Sequence, residues 1–217
     1  MTLTGPRRPA ASGTANSVVV LVHGYGADGN DLIGLGDALA PHMPDTVFVA
    51  PNAPDRCTNN PMGFQWFPIP WLDGSRPEEA VAGALSAAKL LHAYLDTTSA
   101  EEGVGADRTI LLGFSQGTMM SLEVGPRRNQ ALAGIVGFSG RLQRAAALEA
   151  EVVTRPPILL IHGDADEVVP PSSLPEAATA LNAAGFAVET HISPGTGHGI
   201  APDGLSLALA RMQSWLA

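Results

Sequence analysis

Gly113-Phe114-Ser115-Gln116-Gly117 is the stretch of this chain best suited to chemistry. It directly follows the aliphatic run Thr109 to Leu112 and leads straight into the apolar segment Thr118 to Val124, which reads as strand, sharp turn and buried helix. A side chain at Gly113 or Gly117 would meet neighbouring backbone in so tight a turn. The serine between them is expected at a strained φ/ψ with Oγ projecting from the sheet edge. The helix start behind it offers free N–H groups and a positive dipole end where an oxyanion can form. This is the setting of a serine nucleophile. Gly137-Phe138-Ser139-Gly140 presents a rival serine after a strand, but Arg141 stands where the second glycine is needed, so Ser139 is read as a strand-end turn residue.

A serine hydroxyl needs a base, and the base needs an orienting carboxylate. Of the six histidines, His23 and His162 each precede a glycine at a strand end and read as residues packed beneath a loop. His42 and His92 lie on or beside helices, and His191 lies inside a strand. His198 stands in Pro194-Gly195-Thr196-Gly197-His198-Gly199, a flexible-backbone loop directly after that strand, and is the expected base. For the carboxylate, His162-Gly163-Asp164-Ala165-Asp166-Glu167 offers three acids after the strand Ile158 to His162. The same residues could hold a metal, but no second ligand cluster completes such a site, and no metal is expected. The chain order serine, acid, histidine is that of the α/β-hydrolases and admits Asp164 and Asp166 alike.

Groups so far apart in sequence must be brought together by strands that end at one edge. Six are expected: Ser17 to Gly24, Thr46 to Pro54, Thr109 to Leu112, Ala133 to Phe138, Ile158 to His162 and Val188 to Ile192. Helices are expected at Asp31 to Ala40, from a Ser75 cap with Glu78 closing a capping box, at Thr118 to Val124, Leu142 to Ala150, Ser173 to Leu181 and Leu205 to Leu216. The Ser75 helix should bury Val81, Leu85, Ala88, Leu91 or His92, and Leu95, and Trp215 should pack on the core. Alternation of this kind implies right-handed crossovers and a mostly parallel sheet covered by helices on both faces, an α/β architecture with its chemistry at the carboxyl ends of the strands. No domain boundary is visible. Residues 1–217 read as a single domain, with 1–16 a poorly structured N-terminal arm.

Composition narrows the partners. With 12 basic residues against 21 acidic, the net charge is −9, and the only basic pairs are Arg7–Arg8 and Arg127–Arg128, which rules against nucleic acid. The single cysteine, Cys57, cannot form an internal disulfide, no signal-like apolar region opens the chain, and no run approaches a membrane span, so a cytoplasmic location is expected. The 24 glycines and 18 prolines exceed the usual share and indicate many tight turns. A long irregular stretch, from Asn52 to about Gly74, holds Phe64, Trp66, Phe67 and Trp71. These four are the candidate wall for a hydrocarbon chain, the alternative being a loop that caps the core.

Val20-Leu21-Val22-His23-Gly24-Tyr25-Gly26-Ala27-Asp28-Gly29-Asn30-Asp31-Leu32, the Ser115 turn through Met120, His162-Gly163-Asp164-Ala165-Asp166-Glu167-Val168-Val169-Pro170 and Gly197-His198-Gly199 together resemble the phospholipase/carboxylesterase family of α/β-hydrolases. The resemblance runs from about Ser17 to the C-terminus. It implies an α/β-hydrolase fold and a serine carboxylesterase with Ser115, Asp166 and His198 as triad, and it leaves Asp164 a turn-stabilising role. It assigns an oxyanion hole to the backbone N–H groups of Tyr25 and Gln116. It implies no cofactor and a small-molecule ester substrate, lipid-derived esters included, and a homodimer is compatible with it. Lysophospholipase and acyl-protein thioesterase activities are the alternatives within the family, and a binding protein that keeps the fold is the alternative outside enzymes. Tyr25 and the Met62 to Trp71 segment depart from the eukaryotic thioesterases.

Overall fold

Val18 to Val22 are without exposed surface because successive side chains enter opposite layers, as the period of two in a strand requires. Val18, Val20 and Val22 join one core, Val19 and Leu21 another. The chain is described here by a computed structural model covering residues 2–217. Its main sheet has seven strands in the order β1 (Arg7–Arg8), β3 (Thr46–Val49), β2 (Ser17–Val22), β6 (Thr109–Phe114), β7 (Gly134–Phe138), β8 (Ile158–Gly163) and β9 (Val188–Ser193). All neighbours pair parallel except β1 with β3. A separate two-stranded hairpin, β4 (Asp55–Arg56) with β5 (Phe64–Gln65), lies within the long irregular stretch.

Helices cover both faces. The core that takes Val18, Val20 and Val22 is closed by α3 (Pro77–Glu102) and α4 (Gln116–Val124), through residues such as Leu91, Leu95 and Met120. The opposite core is closed by α1 (Gly29–Leu39) and α7 (Pro202–Trp215), through Leu32, Leu39, Ala208 and Met212. Beyond β7, α5 (Ala145–Glu151) and α6 (Ser173–Ala183) bury Leu148, Leu174 and Leu181. A short α2 (Pro70–Asp73) completes the set. Trp215 packs against Gly134, where any added Cβ would collide with the indole.

Three expectations are corrected. Residues 2–16 are not a loose arm: β1 pairs with β3, Leu3 and Ala10 are buried, and Arg7 forms a two-pronged ion pair with Glu102, each prong at 2.8 Å. The α3 cap is Arg76, not Ser75, because the Glu79 carboxylate, rather than that of Glu78, accepts the Arg76 N–H at 2.9 Å. The buried face of α3 is accordingly shifted to Ala84, Ala87, Ala88, Leu91, Leu95 and Thr98, which leaves Val81 and Leu85 exposed.

The sheet order sets the position of the site. After β2 the chain moves to one side to make β3, then crosses back to build β6 on the other side of β2. Connections therefore leave in opposite directions at the carboxyl ends of β2 and β6, and a crevice opens there. The register pairs Val22 with Gly113 and Gly113 with Gly137, so His23-Gly24-Tyr25, Ser115 and Ser139 emerge at one edge. Gly163 pairs with Ser193 and brings the loops carrying Asp166 and His198 to the same edge.

Candidate active site

Ser115 sits between β6 and α4 with φ 54° and ψ −115°, a conformation an L-residue adopts at a cost of about 1–3 kcal/mol. Its surroundings enforce it. A Cβ at Gly113 would lie 2.5 Å from the Gly117 backbone and the Thr118 nitrogen, and one at Gly117 would fall on the Val22 carbonyl. The Ser115 N–H donates to Phe138 O at 2.9 Å, and Thr118 Oγ1 lies 2.8 Å from both the Gly113 and Phe138 carbonyls. Ser139 also has positive φ, at 47°, but its buried hydroxyl has no hydrogen-bond partner among the described residues.

His198 Nε2 lies 2.9 Å from Ser115 Oγ, and His198 Nδ1 lies 2.8 Å from Asp166 Oδ2. The two contacts suit a ring that donates from Nδ1 to the carboxylate and takes the serine O–H at Nε2. The Phe114 ring packs against the imidazole, centroids 5.0 Å apart. Asp166 is buried, and its other oxygen accepts the Val168 and Val169 N–H groups, each at 2.9 Å. Burial pushes this carboxyl up, but the hydrogen bonds from His198 and the two amides outweigh it and hold the group below its ordinary value. Asp164 is turned elsewhere and accepts the Gly195 N–H at 2.6 Å, tying down the loop that carries His198. His162 Nε2 lies 2.9 Å from Val169 O, beneath the same loop.

The Tyr25 and Gln116 amides donate to no protein acceptor among the described residues. Gln116 is the first residue of α4, so its N–H is one of the unpaired donors of a helix start and carries the positive end of the dipole. Gly24 brings the Tyr25 turn close: a Cβ there would lie 3.4 Å from the Ser115 Cβ. His23, below this turn, has both ring nitrogens engaged, Nδ1 with Gly24 O at 2.7 Å and Nε2 with the Ala53 N–H at 2.9 Å. Burial keeps its pKa below the ordinary histidine value and the ring neutral, against the opposing Gly24 hydrogen bond.

The aromatic loop divides. Trp66 is fully buried in the core, and its indole N–H donates to His23 O at 3.0 Å, so it cannot face a ligand. Phe64 packs against the same core with Arg56 stacked on its ring at 4.3 Å. Phe67 and Trp71, by contrast, line a cavity of about 300 Å³, Phe67 as a buried wall and Trp71 as a half-exposed rim. A second cavity, about 390 Å³ and mainly apolar, is lined by Gly24, Leu32, Leu35, Phe114 and Ile200. Its walls adjoin Tyr25, Ser115 and His198 in sequence. Sequence reasoning missed it because Leu32 and Leu35 look like the buried face of α1. The position of Phe114 inside the serine motif, and of Ile200 two residues after His198, was the available signal.

The Gln116 side chain is also new. Its Oε1 accepts the Trp66 N–H and its Nε2 donates to Phe67 O, both at 2.8 Å, fastening the aromatic loop to the serine turn.

The phospholipase/carboxylesterase family model matches residues 9–216. Esterase YpfH of Escherichia coli (strain K12) is 29% identical over 202 residues, spanning 92% of this chain and 83% of YpfH. Acyl-protein thioesterase 1 of Gibberella zeae is 30% identical over 215 residues, spanning 91% of this chain and 89% of that protein. The crystal structure of esterase PE8 superposes with a TM-score of 0.94 at 48% identity over 99% of each chain. No helix among the described residues is long and apolar enough to cross a membrane.

Proposed function

The chain belongs to the phospholipase/carboxylesterase family of α/β-hydrolases and is a carboxylic ester hydrolase; from that premise we propose that it is a serine carboxylesterase acting through Ser115, His198 and Asp166. The esterase relatives support a hydrolase over a binding protein without turnover. The observation that carries the proposal is the continuous hydrogen-bond path from Ser115 Oγ through the imidazole of His198 to Asp166 Oδ2.

In the first half-reaction Ser115 Oγ attacks the acyl carbon while His198 Nε2 takes its proton, and Asp166 stabilises the resulting imidazolium. The carbonyl oxygen gains negative charge, which the free Tyr25 and Gln116 N–H groups receive; each such donor is typically worth about 10²–10³ in rate. His198 then gives its proton to the leaving alkoxide, and an acyl-enzyme remains. Water, deprotonated by the same nitrogen, attacks the acyl carbon; the bond from that carbon to Ser115 Oγ breaks, His198 returns the proton to Oγ, and the carboxylic acid is freed. The cavity bounded by Phe114 and Ile200 suits the hydrocarbon part of a small ester.

Hydrolysis of 4-nitrophenyl butyrate by Ser115→Ala tests the proposal. The expected loss in kcat is about 10⁶, as for comparable serine hydrolases. Wild-type turnover in that variant would overturn it.

A further inference from the structure

The cavity of about 300 Å³ bounded by Phe67 and Trp71 has an unusual wall. Phe67, Ile69, Trp71 and Val81 make most of it apolar, yet Arg141 and Gln143 also face it, and no carboxylate lines it. Arg144, a further lining residue, is already neutralised by Glu123 and Glu151, each at 2.5 Å. Arg141 makes no ion pair among the described residues. Its guanidinium stacks on the Trp71 ring at 4.6 Å, and its Nε–H is buried without an acceptor. Arg8, Arg127 and Arg128 also carry a buried unpaired N–H, but each of them meets a carboxylate, whereas the Arg141 cation beside the cavity has none, so an anionic acceptor would satisfy it. Burial lowers the guanidinium pKa and Glu176 opposes this, but an arginine remains charged.

Two of the cavity's lining residues are tied to the serine turn. Arg141 follows Gly140, where an added Cβ would lie 3.0 Å from the Ser115 carbonyl oxygen. Phe67, another lining residue, is held by the side chain of Gln116, the residue after Ser115. A substrate part that extends from Ser115 into this cavity therefore passes over apolar rings and ends at an unpaired cation. We infer that Arg141 is a specificity-determining residue that selects esters carrying an anionic group, carboxylate or phosphate, separated from the scissile carbonyl by a short apolar spacer.

The inference rests on the proposed serine esterase reading, since it names a substrate class for that same site. Two matched pairs test it. The acyl-side pair is the 4-nitrophenyl ester of adipic acid against that of hexanoic acid. The alcohol-side pair is 1-butyryl-glycerol-3-phosphate against 1-butyryl-glycerol. The readout is the ratio of kcat/KM, anionic over neutral, in wild type, Arg141→Gln and Arg141→Met; the methionine keeps an apolar stem against Trp71, so one variant covers for a folding failure in the other. In at least one pair the ratio falls tenfold or more in the variants, and which pair responds identifies the anion as acyl carboxylate or headgroup phosphate. Ratios within twofold of wild type in both pairs would overturn the inference. Ser115→Ala, run on all four esters, separates the two readings: turnover retained there removes the serine mechanism, whereas the Arg141 ratio speaks only to substrate choice.

Discussion

Gln116 holds the backbone of Trp66 at 2.8 Å through its side-chain oxygen while its own amide stands free beside Ser115. One residue thus couples the aromatic loop to the proposed oxyanion hole. Gln116→Ala leaves the buried Trp66 N–H and Phe67 carbonyl without partners. At about 1–3 kcal/mol for each of these two groups, the expected loss of stability is about 2–6 kcal/mol in urea unfolding, with a fall in kcat from the loosened turn. A variant as stable as wild type would show that the clamp carries no weight.

Asp166→Asn is expected to lower kcat by about 10⁴, because an amide donating to His198 favours the wrong tautomer. The same substitution has a pH signature. The native carboxyl lies below its ordinary value of 3.8, so its stabilisation is present at neutral pH and is lost as pH falls below 3.8 through the lower native value. The stability gap between wild type and variant, followed by urea titration, should be full at pH 7 and close in strong acid. A gap that widened in acid would contradict the assignment.

The two tryptophans of the long loop should separate cleanly. Trp66→Phe removes a buried donor from His23 O and is expected to cost about 1–3 kcal/mol of stability with little change in KM for a short ester. Trp71→Ala, at a half-exposed cavity rim, should change kcat/KM for larger esters and leave the thermal midpoint nearly in place. Unfolding curves and ester kinetics on both variants decide this, and the reverse pattern would reverse the roles.

How much of this was legible in the chain follows from the range of each signal. The serine turn is a local device, in which two glycines, a preceding aliphatic strand and a following helix all lie within a dozen residues, so Ser115 could be read directly. His198 stood out because it lies in a glycine-rich loop after a strand, and the fold brings its Nε2 to 2.9 Å from Ser115 Oγ. Asp164 and Asp166 are equivalent by spacing; the family resemblance favours Asp166, and the fold turns Asp166 to His198 and Asp164 to Gly195. β1 was invisible because two arginines carry no strand pattern and gain their place from the exposed edge of β3. Trp66 and Trp71 could not be told apart because the loop between them has no periodicity to mark inside from outside. The unpaired state of Arg141 depends on which acids do not approach it, which spacing along the chain does not reveal.

The central claim is that Ser115 is the nucleophile, and mass-spectrometric mapping after fluorophosphonate treatment tests it most directly. The account predicts one adduct, on the peptide carrying Ser115, appearing in step with loss of ester hydrolysis and absent from Ser115→Ala. An adduct on Ser139, or complete inactivation with Ser115 unmodified, would contradict it.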